Sequence, residues 1–126
     1  MQAGGGYLYT VNLSEDDAVI GIISLDRVAR SVWQTAEVGC GLGAAYAGQG
    51  LMTDGMKLLV RHAFIELGLR RVEALVQVDN HRSHRMLQAV GFQTEGIARA
   101  AIAVDGRPRD HVRWAVIAAD LANPDP

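Results

Sequence analysis

The sequence predicts a mixed α/β domain with a mostly antiparallel sheet and one parallel crossover. Three observations carry this. Strand-length apolar runs are separated by short polar turns. A long helical period lies between two strand patterns, and an Asp-Gly pair sits between the last two apolar runs.

Residues 7–13 are aromatic and β-branched and read as a strand, followed by the polar turn Ser14-Glu15-Asp16-Asp17. Residues 18–25 form a second apolar run, 26–31 turn polar again, and 32–42 read as a third strand. Turns this short favour antiparallel hairpins. Beyond them Met52, Met56, Leu59, Val60, Ala63, Phe64 and Leu67 recur at spacings of three and four, with Asp54, Lys57 and Arg61 opposite, and Gly68 follows as a stop. This is an amphipathic helix. Residues 72–78 alternate as a strand, and Asp79-Asn80 is a turn with Asn80 as a helix N-cap. A short helix then covers 81–90 and ends at Gly91. Residues 97–104 and 112–118 read as strands joined through Asp105-Gly106, a hairpin signal. The order is β-β-β-α-β-α-β-β. The long helix has the size of a crossover between parallel strands.

The 126-residue length suits a single core. No apolar run approaches the roughly 20 residues of a membrane span, and the first six residues lack the charged start and apolar stretch of a secretory signal. The single Cys40 offers no intrachain disulfide, which makes a reducing cytoplasm the expected compartment. A net charge of −2 argues against a sequence-independent nucleic-acid partner. Residues 1–6 are expected to be a disordered N-terminal segment, 7–121 the domain and 122–126 a frayed tail.

Gly39, Gly41, Gly43, Gly48 and Gly50 crowd into twelve residues just before the long helix. A glycine turn running into a helix N-terminus leaves backbone N–H groups facing an anion, reinforced by the helix dipole. It lacks the Gly-Lys-Ser/Thr of an NTPase loop, because Leu51 follows Gly50. It also lacks the third glycine of a dinucleotide fingerprint, where Thr53 stands. A turn without any ligand is the plain alternative.

Four stretches in this order and spacing make the chain resemble the GNAT superfamily of N-acetyltransferases, in its RimJ/RimL-like branch: Ala36-Glu37-Val38-Gly39; Gly48-Gln49-Gly50-Leu51-Met52-Thr53; Asp79-Asn80-His81-Arg82-Ser83; and Gly91-Phe92-Gln93-Thr94-Glu95-Gly96. The hairpin from Val104 to Val112 is similar to that branch as well. The resemblance implies acetyl-CoA as cosubstrate and an amine acceptor, either a protein N-terminus or a small molecule. The cofactor-binding positions it implies are Leu42, Ala47, Gly48, Gln49, Gly50, Leu51, Met52, Thr53, Asn80 and Ser83, with the turn cradling the pyrophosphate. Ala47 stands where the superfamily has Gln or Arg.

By the same resemblance Glu37 takes the amine's proton, directly or through water, and Ser83 donates to the departing sulfur. Each has a structural alternative: a solvated or ion-paired strand carboxylate, and a first-turn serine bonded to its own backbone. Cys40 is expected to be a buried structural residue. The four histidines are scattered in sequence, so direct transfer is preferred to a cysteine intermediate, and no metal ligand set is expected. Arg82 and Arg85 flank Ser83 as candidates for CoA phosphates, or as a solvated helix face. Members of the branch carry a strand and two helices ahead of the region resembling residues 7 onward, and here six residues precede Tyr7. The expectation is a fragment or a shortened domain that pairs as a homodimer, with a non-catalytic CoA-binding or oligomerisation module as the alternative function.

Overall fold

A computed structural model of the chain describes residues 5–13, 17–42 and 50–122. Its elements are β1 (Tyr7–Asn12), β2 (Val19–Ala29), β3 (Thr35–Leu42), α1 (Leu51–Ile65), β4 (Arg71–Gln77), α2 (His81–Val90), β5 (Gln93–Val104), β6 (Arg107–Ile117) and the short α3 (Ala118–Ala122). The strands form one sheet in the order β1-β2-β3-β4-β6-β5. Only β3 and β4 run parallel, joined by the α1 crossover, and every other neighbouring pair is antiparallel. The expected order and sheet type are thus observed, with α3 added in the region expected to end the last strand.

Strand alternation sorts the sheet into two faces. Ile23, Leu25, Ala36, Val38, Val72, Ala74, Val76, Trp114 and Val116 turn to one side, where they meet Met56, Leu59, Val60 and Ala63 of α1 and Leu87 and Val90 of α2 in a single core. Val72 and Val116, directly paired across β4 and β6, are fully buried. Each such side chain contributes on the order of 1.5–3 kcal/mol by leaving water. The expected apolar face of α1 is the buried one, and Asp54, Lys57 and Arg61 are exposed. The opposite face of the sheet carries charge. Arg71 donates from Nε to Glu73 (2.9 Å) and through its other nitrogens to Glu95, while Arg113 donates to Glu73 (2.9 Å).

Several boundaries differ from the sequence reading. β2 continues through residues read as a polar turn, because a bulge between Asp26 and Ala29 lets pairing persist while alternation breaks. Arg27 adopts φ 48° there, and Leu25 and Val28, three apart, are both buried. The Asp105-Gly106 hairpin is tighter than expected. Both residues have positive φ (53° and 76°), and Val104 pairs directly with Arg107, so β6 begins five residues before the run that suggested it. β5 likewise begins at Gln93 rather than at residue 97. At the N-terminal end the Gly5 carbonyl accepts a hydrogen bond from the Val28 N–H (3.1 Å).

Candidate acetyl-CoA site

β3 and β4 pair only over Thr35–Glu37 and Arg71–Glu73. Both strands continue, to Leu42 and Gln77, but they are no longer partners. A gap therefore opens in mid-sheet, and on its β3 side backbone groups are released from the ladder and need other partners. A cavity of about 270 Å³ fills this gap, bordered by Gly39, Cys40, Gln77, Asn80, Ser83 and His111 among others.

A second cavity of about 530 Å³ lies at the start of α1, bordered by Gly50, Leu51, Met52 and Thr53 on one side and Arg82, Ser83 and Arg85 on the other. Gly50 is the N-cap of α1, at φ 74°, and no side chain among the described residues caps the helix. The first-turn N–H groups of an α-helix have no intrahelical acceptor. Left-handed backbone is open to glycine without a Cβ penalty. The two cavities share Cys40, Ser83 and Met86. Together they make one path from the α1 N-terminus, past the first turn of α2, to the gap between β3 and β4.

The expected site residues divide accordingly. Gly50, Leu51, Met52 and Thr53 border the larger cavity, Asn80 the smaller, and Ser83 both. Ala47, Gly48 and Gln49 lie outside the described residues, and Leu42 ends β3. Asn80 caps α2 as expected, its Oδ1 accepting from the Ser83 N–H at 3.3 Å. This leaves the serine hydroxyl without a partner among the described residues. Glu37 is not drawn into the path. It borders neither cavity, and its Oε1 accepts from the Arg27 guanidinium at 2.8 Å on the charged face of the sheet.

Cys40 corrects an expectation. It is exposed rather than buried, because it lies beyond the last β3–β4 pair and borders both cavities. Desolvation by its surroundings still holds the thiol above its ordinary pKa, which keeps it from being a ready thiolate. His111 is the residue the sequence reading passed over. It is 4% exposed, the one buried polar or charged side chain among the described residues, and it borders the gap. Its neighbours in the chain give no hint of this. Pairing with Gln77 across β4 and β6 is what brings it there.

An α/β sheet splayed beside a helix N-terminus, with a path between them, suits an extended ligand with an anionic end. Relatives in sequence and structure place the chain in one family. Residues 1–93 match the family described as the acetyltransferase (GNAT) domain. The chain is 40% identical over 119 residues to a probable N-acetyltransferase, YjcK, of Bacillus subtilis, covering 94% of this chain and 63% of the relative. It is 26% identical to the ribosomal protein uS5-alanine N-acetyltransferase of Escherichia coli, covering 93% of this chain and 60% of that enzyme. Among solved structures, Mycobacterium smegmatis RimJ in complex with CoA-disulfide superposes with a TM-score of 0.88 at 28% identity, over 92% of this chain and 55% of that one. The chain belongs to the GNAT acetyltransferase family, whose members use acetyl-CoA. It spans about 55–63% of the length of these relatives. No helix among the described residues is long and apolar enough to cross a membrane.

Proposed function

We propose that this chain is an acetyl-CoA-dependent N-acetyltransferase domain that moves an acetyl group directly to a primary amine, a protein N-terminus or a small molecule. One observation carries the reading: the continuous path from the α1 N-terminus to the β3–β4 gap, with Ser83 at the junction of its two parts. The pyrophosphate takes the first-turn N–H groups of α1, and Arg82 and Arg85 line the same cavity with compatible charge. The family resemblance assigns Ala47, Gly48 and Gln49 to the same phosphate cradle, and Leu42 and Asn80 to the rest of the coenzyme.

The acetyl group then lies where β3 has left β4. Released β3 backbone donors there can meet the developing oxyanion. The Ser83 hydroxyl stands at the sulfur, whose thiolate, with acidity near that of cysteine, is a tolerable leaving group. The chain thus supplies mainly positioning, which alone is worth several kcal/mol of the barrier. Glu37, held by Arg27, is the carboxylate candidate for the proton acceptor and would act through water. The raised Cys40 thiol supports direct transfer over a cysteine intermediate.

The compartment read from the lone cysteine is the cytoplasm. The assembly is a homodimer, supported by the apolar surface of Leu8, Ile22, Val32 and Trp33, all exposed; sedimentation velocity checks it.

Calorimetry with acetyl-CoA, paired with a thiol-release assay over alanine-terminated peptides and small amines, tests the activity. Binding with turnover is expected, and Glu37→Gln should lower turnover more than affinity. Binding without thiol release for every acceptor would make the domain a coenzyme-binding module. Absence of binding would overturn the reading.

A further inference from the structure

His111 sits on β6, paired with Gln77 of β4 and sharing the sheet face of Arg113, and it borders the β3–β4 gap together with Cys40. Its Nδ1 lies 2.9 Å from the Arg109 carbonyl oxygen. A carbonyl only accepts, so Nδ1 carries the hydrogen in the neutral ring and Nε2 carries the lone pair. Nε2 has no hydrogen-bond partner among the described residues, whereas every sealed-off side-chain nitrogen and oxygen among them has one. Nε2 is therefore in contact with accessible space, although His111 as a whole is 4% exposed. The space His111 borders is the β3–β4 gap.

The charges nearby are committed elsewhere. Cys40 is the other titratable side chain bordering the gap, and desolvation keeps its thiol protonated. Asp110 accepts from the Ala100 N–H (2.8 Å), Arg113 donates to Glu73, and Ala98 faces His111 from β5. Arg109 contributes its carbonyl. Glu37 does not border the gap.

We propose that His111 is the general base of this site, its Nε2 taking the proton directly from the acceptor amine as nitrogen attacks the thioester. This rests on the acetyl-CoA reading above. The amine lone pair forms the C–N bond, and the C–S bond breaks with its electron pair going to sulfur. One amine proton moves to Nε2, and the imidazolium then returns it to the thiolate. Thioester plus amine thus balances to amide plus thiol. The Arg109 carbonyl fixes the tautomer and the ring orientation, which is the positioning a base needs before its acidity matters.

The informative variant is His111→Asn. Its side-chain amide nitrogen is attached to Cγ, as Nδ1 is, so the bond to the Arg109 carbonyl can be kept while the base is removed. With an alanine-terminated peptide as acceptor, kcat should fall roughly 100-fold or more, more than in Glu37→Gln. The acid limb of the kcat–pH profile should disappear, with acetyl-CoA affinity by calorimetry unchanged. Nitrogen-15 NMR of the unaltered domain gives a readout that needs no acceptor. His111 should show a protonated Nδ1 and a lone-pair Nε2, and acetyl-CoA should shift the Nε2 resonance. Full kcat with the acid limb intact in His111→Asn, the opposite tautomer, or an Nε2 unmoved by acetyl-CoA that calorimetry shows bound would each overturn the proposal. Failure of the unaltered domain to bind acetyl-CoA would overturn the site reading instead.

Discussion

Trp114 donates its indole N–H to Nδ1 of His84 at 3.0 Å, tying the sheet to the helix that carries Ser83. The opposite ring nitrogen of His84, Nε2, lies 3.0 Å from the Val78 carbonyl. Since Nδ1 accepts, Nε2 donates to the carbonyl, and the imidazole links β6 to the turn before α2. Ser83, one residue before His84, owes its place beside the path to this link as well as to the Asn80 cap.

Trp114→Phe keeps most of the buried ring and removes the donor. The His84 Nδ1 then loses its partner in a half-buried setting, at a cost of about 1–3 kcal/mol. Urea unfolding should show a lower midpoint with unchanged slope. An unchanged midpoint would mean that water replaces the indole without loss.

Gly50 offers a test of anion binding that separates charge from backbone strain. Its φ of 74° is left-handed, and a Cβ built there meets nothing within 4 Å among the described residues. Asn and Asp both enter that region more readily than other side chains. Gly50→Asn and Gly50→Asp therefore differ mainly in charge. Acetyl-CoA should bind the Asp variant about tenfold or more weakly than the Asn variant, a difference of roughly 1.4 kcal/mol. Equal affinities by calorimetry would place the phosphates elsewhere.

The ion pairs on the open face of the sheet predict an acid sensitivity. Arg71 grips Glu95 with two nitrogens, at 3.1 and 2.5 Å, and this hydrogen bonding holds the Glu95 carboxyl below its ordinary pKa. A carboxyl with a depressed folded-state pKa contributes its stability above the unfolded-state value. That contribution is lost as pH falls through the folded-state value. Glu95 is 41% exposed, which limits the pair to no more than about 1 kcal/mol. Glu95→Gln should therefore be slightly less stable than the parent at pH 7, and the difference should shrink as pH falls through the folded-state value. A difference that persists in acid would show that the side chain acts by packing and not by charge.

Local pattern was enough for the elements that repeat. The three-and-four spacing from Met52 to Ala63 marks the buried side of α1, and Asn80 and Gly91 mark both ends of α2. Asp105-Gly106 marks the last hairpin, because its left-handed turn needs those residue types. The strand bulge at Arg27 was not legible, since it preserves pairing while breaking the alternation by which a strand is recognised.

Fold family and the order of elements along the chain were legible in the residues themselves, because helix period, caps and turn chemistry act over a few neighbours. Only the tertiary structure decided which polar groups meet. Glu37 pairs with Arg27 instead of entering the path, Cys40 lies open instead of buried, and His111 comes to the gap. The physical reason is that strand pairing sets these meetings. The parallel pairing of β3 with β4 stops after Glu37 and Glu73, and the register of β6 against β4 places His111 beside Gln77. Neither register is written in the residues on either side of the positions it brings together.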